Sequence, residues 1–143
     1  MLKDHFETVI SAKQWKRLFI KRVKKSGYQV TGVDVFDDPG NFEFSYIQAN
    51  AQKLPFPDKS FDTIISTHTL EHIINIRKAA VELKRVAKKQ VIVVVPCQRF
   101  NYYTLDHHLH FFPRKEMLEG LMDMPKHTVR KIGGDWIYNG LIQ

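Results

Sequence analysis

The sequence predicts one α/β domain in which helices cover both faces of a mostly parallel sheet. Two observations support this fold class. Short runs rich in β-branched residues alternate with segments whose apolar residues recur at three- and four-residue spacing. The run QVIVVV, residues 90–95, is almost wholly apolar, as expected for a strand buried on both faces. With 143 residues, of which 43% are hydrophobic, the chain can form a core of its own. We therefore predict a single doubly wound domain over residues 1–143.

The first half of the chain is predicted to contain one helix and several strands. The helix spans 13–26, where apolar residues share one face, Ser11 is placed to cap the start, and Gly27 stops the helix. A proline-punctuated loop, LPFPDKS, precedes the last strand of this half. The strands predicted here are 6–10, 28–35, 42–49 and 61–67.

The second half repeats the alternation of helix and strand. A helix is predicted at 73–88, and a further helix begins near Pro113, a residue favoured at the first helical position. The inner face of this last helix is predicted to consist of Met117, Leu118 and Leu121. After the strand at 90–95, the predicted strands are 126–132 and 135–142, joined through Gly133-Gly134.

The net charge of +7 lies largely in two basic stretches, 13–25 and 84–89. Because these charges interleave with apolar residues at helical spacing, we interpret them as the solvated faces of two helices. A nucleic acid or another anionic partner is the alternative interpretation.

Several classes of protein are disfavoured by what the sequence lacks. The single cysteine, Cys97, permits no internal disulfide and no zinc ribbon built from thiolates. No apolar run approaches the roughly 18 residues that a membrane span requires. The first residues, MLKDHFETVISAKQWK, lack the long apolar region of a secretory signal. We therefore expect a reducing, cytoplasmic setting.

Polar residues follow several of the predicted strands where each strand ends. Asp34 and Asn50 come at the ends of two strands, and Thr67 and His68 at the end of a third. In doubly wound folds, ligands bind in the crevice at the carboxyl ends of the strands. The sequence therefore predicts that these side chains line one binding crevice.

Four stretches occur in order at a recognisable spacing: GYQVTGVDV, IQANAQKLPFPDKSFDTIISTHTLEHI, ELKRVAKKQVIVVVP and HLHFFPRKEMLEGL. Together they resemble the class I S-adenosylmethionine-dependent methyltransferases, in particular the small-molecule group that includes the ubiquinone and menaquinone biosynthesis methyltransferases. The similarity extends over residues 27–122, and its most specific part is LPFPDKSFD followed by LEH. The resemblance implies a Rossmann-like fold, S-adenosylmethionine as the cofactor, and methyl transfer to a small-molecule acceptor.

The resemblance assigns four residues to the nucleoside part of the cofactor. Asp34 would accept hydrogen bonds from both ribose hydroxyls, which suits a carboxylate with two oxygens. Val35 would pack on the adenine face. Asn50 stands where the family usually has an acid, and would accept from the adenine amino group, while Ala51 would offer its backbone N–H to the ring. The alternatives are a loop-capping acid for Asp34 and an ordinary turn asparagine for Asn50.

The residues after the strand at 61–67 would lie nearer the reacting end of the cofactor. The resemblance places Thr67 and His68 beside the methionine portion. His68 and His72 are the candidate proton acceptors, should the methyl acceptor need to lose a proton. Glu71 is expected mainly to organise a helix start, where negative charge is favourable, and a structural role is the favoured interpretation of His72.

The segment 105–112, LDHHLHFF, raises the question of a metal, because histidines and an acid at close spacing can chelate zinc. The family often has a His-x-x-Phe-like element here that forms a wall over the acceptor. We therefore assign His108 and His110 to the substrate pocket, with a plain loop as the alternative, and predict no metal.

The chain lacks the glycine-rich loop that the family places after its first strand. Counting back from Gly27 puts that loop near 11–17, where the sequence is SAKQWKR. Such glycines let the backbone approach the cofactor closely. Three explanations stay open: the chain starts after the true motif, the loop has degenerated, or Ser11 and local amides bind the cofactor in a modified way. The short apolar run at Val9-Ile10 favours a degenerate loop.

The predicted function is therefore methyl transfer from S-adenosylmethionine to a small-molecule acceptor. The missing glycine loop supports one alternative, a non-catalytic methyltransferase-like domain that binds or regulates. The net charge of +7 supports another, an RNA-directed methyltransferase. A nicotinamide dehydrogenase is disfavoured, because it too needs the missing loop.

Overall fold

The structure is a computed structural model that describes residues 22–23, 25–35, 44–100 and 107–143. The strand predicted at 6–10, the segment 11–17 with Ser11, and most of the helix predicted at 13–26 lie outside the described residues. At the end of that helix, Arg22, Val23 and Lys25 are helical, and Gly27 follows with a φ of 87°, as a helix-terminating glycine requires.

The described residues form an α/β arrangement, which confirms the predicted fold class. The strands are β1 (Thr31–Asp34), β2 (Ser45–Gln48), β3 (Phe61–Thr67), β4 (Ala87–Pro96), β5 (His127–Ile132) and β6 (Asp135–Leu141). The helices are α1 (Ile76–Val86) and α2 (Lys115–Met122), with a 3-10 turn at Leu70–His72. No described helix is long and apolar enough to cross a bilayer.

The strands pair in two sheets. β1 and β2 are parallel neighbours, and the second sheet has the order β3-β4-β6-β5. β3 runs parallel to β4, whereas β6 runs antiparallel to both β4 and β5. The antiparallel pair follows from the short Gly133-Gly134 turn, with φ of 60° at Gly133, because two residues can join only antiparallel strands.

The main hydrophobic core lies between one face of β4 and the two described helices. Val91, Val93 and Val95 are all fully buried on that face, whereas the alternate residues of β4 are only half-buried. The helical residues in the same cluster are Ala79, Ala80, Leu83, Val86, Leu118 and Met122. The helix predicted at 13–26 falls mostly outside the described residues.

Element boundaries differ from the predictions where capping decides them. α1 begins at Ile76 rather than 73 because the Asn75 side chain accepts a hydrogen bond from the Lys78 N–H, at 3.1 Å, as an N-cap does. The chain then passes directly from α1 into β4 at Ala87, so this strand starts earlier than predicted. Glu71, which was expected to organise the helix start, is therefore not the cap of α1.

The predicted inner face of α2 was partly wrong. Met117 is 46% exposed, whereas Leu118 and Met122 are fully buried. The buried pair is four residues apart and so lies on one helical face, one residue out of phase with Met117. Leu121, the third predicted residue, is half-buried.

Arg85 ties the proline-punctuated loop to α1. Its guanidinium donates to the carbonyls of Phe56 and Leu54, at 2.8 and 3.1 Å, and to the Asp58 carboxylate at 2.8 Å. It also makes two hydrogen bonds to the Glu82 carboxylate, at 2.7 and 2.9 Å, and Glu82 accepts the Leu54 N–H at 2.8 Å. We call this set of hydrogen bonds from the Arg85 guanidinium the fork. The fork holds LPFPD in place, and its hydrogen bonds to Glu82 are the main cause that lowers the pKa of that residue.

Replacing Arg85 by Ala should lower the free energy of unfolding by about 2–3 kcal/mol at neutral pH, because the partly buried Glu82 loses its charged partner. Glu82 has a depressed folded pKa, so its contribution is present above the unfolded value near 4.5 and is lost as the pH falls through the folded value. The difference between wild type and R85A in urea unfolding should therefore shrink below that pH. The exposed Arg77 on the same helix is the control, and equal effects of R85A and R77A would contradict the role of the fork.

Replacing Asn75 by Ala should lower the free energy of unfolding by about 1 kcal/mol, because the N-cap of α1 is lost. The matched control is Asn75→Asp, which keeps a side-chain oxygen for the Lys78 N–H and should retain most of the stability. Thermal or urea unfolding measures both variants, and a loss in N75D as large as in N75A would show that capping is not the cause.

Candidate active site

The carboxyl ends of β1 and β2 lie side by side. Asp34 is in register with Gln48, and the Ala49 N–H donates to the Asp34 carbonyl at 2.8 Å. Asn50 therefore follows on the same edge as Asp34. These two predicted site residues are brought to one end of the sheet.

Asp34 is a buried carboxylate at this edge, with 9% of its surface exposed. Its Oδ1 accepts the Val35 N–H at 2.7 Å. The Val35 side chain is 50% exposed, and the Gln48 side-chain amide donates to the Val35 carbonyl at 3.0 Å. An acidic acceptor thus lies next to an apolar surface at the strand end.

Asn50 organises the turn that follows β2. Its Oδ1 accepts from the backbone and side-chain N–H groups of Gln52, at 2.9 and 3.2 Å. The Gln52 Oε1 in turn accepts the Asn75 N–H at 3.0 Å. Ala51 is buried in the main core. The structure thus shows the turn role for Asn50, and the Gln52 bridge joins the edge of β1 and β2 to the segment after β3.

A sharp backbone turn after β3 exposes His68. His68 has a φ of 47°, which is uncommon for a residue with a side chain, and its N–H donates to the Val94 carbonyl at 2.9 Å. Thr67 is half-buried, and its carbonyl accepts from the Thr69 hydroxyl at 3.0 Å. Half of the His68 side chain, 49%, remains exposed at the carboxyl end of the sheet.

Two carboxylates flank the His68 ring. Nδ1 lies 3.5 Å from Oε1 of Glu71, and Nε2 lies 3.2 Å from Oδ2 of Asp135. Glu71 and Asp135 together raise the pKa of His68 above its usual value, with Glu71 the larger cause and burial acting in the opposite direction. The ring is therefore held where a positive charge is favoured.

Asp135 was not among the residues singled out in the sequence. It begins β6 and is paired with Pro96 at the end of β4. β6 runs opposite to β3 and β4 and therefore starts at the edge where those two strands end, which brings its first residue to the same crevice. The one sequence signal was its position directly after Gly133-Gly134.

Glu71 lies at the base of this site and is fully buried. Neither carboxylate oxygen has a hydrogen-bond partner among the described residues; the 3.5 Å contact with His68 is an ion-pair distance without hydrogen-bond geometry. The Glu71 carbonyl accepts from the N–H groups of Leu109 and His110, at 2.7 and 3.1 Å. Glu71 thus anchors the segment 107–110 through its backbone, while its side chain faces the histidines.

The three histidines near this segment have different surroundings. His72 Nδ1 is 3.2 Å from the His107 carbonyl, and its ring meets that of His108 edge to face, with centroids 4.8 Å apart. His108 Nδ1 is 2.7 Å from Oε1 of Gln98. His110 Nε2 is 2.7 Å from the Ile73 carbonyl, so His110 fastens the segment to the 3-10 turn. The structure therefore brings the rings of His72 and His108 together, whereas the His110 ring contacts the Ile73 carbonyl.

Comparison with known proteins identifies the family. A family model described as "Methyltransferase domain" matches residues 16–95, more than half of the chain. A curated relative, the ubiquinone/menaquinone biosynthesis C-methyltransferase UbiE of Psychromonas ingrahamii, is 46% identical over 44 residues. That match covers 31% of this chain and 18% of the relative, so it spans less than one fifth of the relative's length.

Solved structures share the fold at low sequence identity. A methyltransferase from Thermotoga maritima, described as a possible histamine N-methyltransferase, superposes with a TM-score of 0.73 at 17% identity, covering 99% of this chain and 84% of that one. The 1,6-didemethyltoxoflavin-N1-methyltransferase of Burkholderia thailandensis superposes with a TM-score of 0.69 at 13% identity, covering 96% and 71%.

The strand ends suit the cofactor that such a family implies. The Asp34 carboxylate has the two oxygens that a ribose diol needs, and the exposed Val35 offers an apolar surface beside it. The segment 11–17, where a glycine-rich loop is expected, lies outside the described residues. The chain belongs to the methyltransferase domain family of class I S-adenosylmethionine-dependent enzymes, and S-adenosylmethionine is the cofactor which that membership implies.

Proposed function

We propose that this chain transfers a methyl group from S-adenosylmethionine to a small-molecule acceptor. The observation that carries the proposal is the buried carboxylate of Asp34 at the carboxyl end of β1. The Gln52 side chain links this edge to Asn75, which follows His68 by seven residues in the chain. The rule that a doubly wound sheet binds its ligand at the carboxyl ends of its strands supports this placement of the cofactor.

The residues of this edge would mainly bind and align. Asp34 holds the ribose hydroxyls, and Val35 and Ala51 lie along the adenine base. Thr67 and His68 face the methionine portion of the cofactor. Asn50 keeps its hydrogen bonds within the turn, and its amide oxygen also accepts a hydrogen bond from the adenine ring. When bound, the cofactor supplies a methyl group already activated on a sulfonium. Orientation is therefore the protein's main contribution to the rate.

Between the two candidate proton acceptors, the geometry favours His68. Its half-exposed ring stands at the strand end, where Glu71 and Asp135 lie on either side. The Nδ1 of His72 is instead directed at the His107 carbonyl. We propose that His68 receives a proton when the acceptor must lose one.

Two relatives support an acceptor of small size. The partial relative is named for a C-methyltransferase of ubiquinone and menaquinone biosynthesis. The Burkholderia structure contains 1,6-didemethyltoxoflavin and S-adenosylhomocysteine. We therefore place the acceptor among small organic molecules, with His108 and the adjoining segment forming one wall of its pocket.

Replacing Asp34 by Ala should weaken S-adenosylhomocysteine binding at least tenfold, because hydrogen bonds to a charged group contribute about 1.5–3 kcal/mol each. Isothermal titration calorimetry of the wild type and the variant measures the change. The matched control is D62A, which removes a carboxylate from the opposite end of a strand, where Asp62 meets Lys89 at 3.4 Å. D62A should bind as the wild type does.

The same titration separates the proposal from a non-catalytic domain. If the wild type melts cooperatively and yet fails to bind millimolar S-adenosylhomocysteine, that result would support a non-catalytic binding or regulatory module. An unchanged dissociation constant in D34A, with tight binding in the wild type, would instead overturn the assignment of Asp34.

A further inference from the structure

Glu71, His72 and His108 converge beside the candidate active site in a group that methyl transfer does not require. One ligand atom from each residue lies within 4.8 Å of the other two. Glu71 and His72 come from the 3-10 turn after β3, and His108 comes from the segment that packs against it. We call these three residues the Glu71 cluster.

The Glu71 carboxylate lacks the partners that a buried charge needs. The residue is fully buried, and neither oxygen accepts a hydrogen bond from the described residues. Two imidazoles stand near Oε1, His68 at 3.5 Å and His72 at 3.9 Å, and neither makes a hydrogen bond to it. Burying a carboxylate in this way is costly unless a cation or hydrogen-bond donors compensate it. A bound cation would supply the missing compensation.

Each of the two imidazoles has its Nδ1 next to an oxygen, which leaves Nε2 as the nitrogen for a metal. His72 Nδ1 faces the His107 carbonyl at 3.2 Å, and His108 Nδ1 faces the Gln98 amide oxygen at 2.7 Å. An oxygen next to Nδ1 favours the tautomer in which Nδ1 carries the proton and Nε2 keeps a lone pair. Metal-binding histidines characteristically donate their other N–H to an oxygen in this manner.

We propose that the Glu71 cluster binds a divalent transition-metal ion. Two neutral imidazoles and one carboxylate are donors that suit zinc and neighbouring metals, and three protein ligands leave one coordination position open. His72 Nε2 is 3.9 Å from Glu71 Oε1. Ligand atoms around a tetrahedral zinc ion are about 3.3 Å apart at bond lengths near 2.0–2.2 Å. A small rotation of the partly exposed histidine rings would close the cluster around the ion.

This donor set differs from the one considered in the sequence. Among the described residues of the segment 105–112, which are 107–112, the cluster takes His108, and the other two ligands come from the LEH motif 36 or more residues earlier. The histidine ligands that were weighed in the prediction of no metal all lay in that segment. The buried, unpartnered carboxylate is visible only in the folded chain.

The test is a titration of chelator-treated, desalted protein with zinc chloride, followed by calorimetry. The wild type should bind one equivalent, and His72→Ala and His108→Ala should each weaken binding at least tenfold. Both variants keep Glu71 and alter side chains outside the buried core. The matched control is His107→Asn, because His107 contacts His72 through its carbonyl rather than its ring, and asparagine tolerates the φ of 52° found there.

Two further readouts place the ion without using activity. Cobalt(II) in place of zinc should give a visible absorption spectrum of low-coordinate nitrogen and oxygen ligation in the wild type and H107N, and should lose it in H72A and H108A. Zinc should also raise the melting temperatures of the wild type and H107N, and should leave those of H72A and H108A unchanged. Absence of saturable zinc binding overturns the proposal, as does binding that H72A and H108A leave unchanged. Neither outcome depends on whether the chain transfers methyl groups.

Discussion

The mixed pairing of β4 is the constraint on which the candidate site depends. β4 is hydrogen-bonded to the parallel strand β3 on one side and to the antiparallel strand β6 on the other. The carboxyl ends of β3 and β4 therefore coincide with the amino end of β6. This coincidence places Asp135 beside His68, although 67 positions separate them in the chain. A wholly parallel arrangement would have sent the first residue of β6 to the opposite edge.

The loop LPFPD has a structural explanation that complements its value as a family signature. Arg85 donates hydrogen bonds to two loop carbonyls and to two carboxylates. Glu82, one of these carboxylates, also accepts a hydrogen bond from the Leu54 N–H. A planar guanidinium with five donors can satisfy so many acceptors at once, whereas a lysine cannot. The prolines limit the conformations of the loop, and Arg85 selects the one that leads into β3.

Periodicity and strand-end reasoning were sufficient for much of the fold, because they depend on local patterns. The alternation of apolar runs predicted the described strands and helices, and the carboxyl-edge rule predicted that Asp34 and Asn50 would lie together. Exact boundaries depended on contacts between distant segments, as the Asn75 cap and the phase of Met117 show. The burial of Glu71 could not be foreseen, because a glutamate is ordinarily exposed. Its burial results from the segment 107–110 folding over the 3-10 turn.

The position of β6 in the sheet also has a consequence for synthesis. β6 lies between β4 and β5, yet the ribosome makes it after both. Until β6 has emerged, one edge of the very apolar β4 has no neighbour, and β5 has no place in the sheet. Unpaired apolar edges attract other chains. Assembly of the sheet and the arrival of the acidic neighbour of His68 must therefore both wait for β6, and until then the unpaired apolar edge of β4 is open to aggregation.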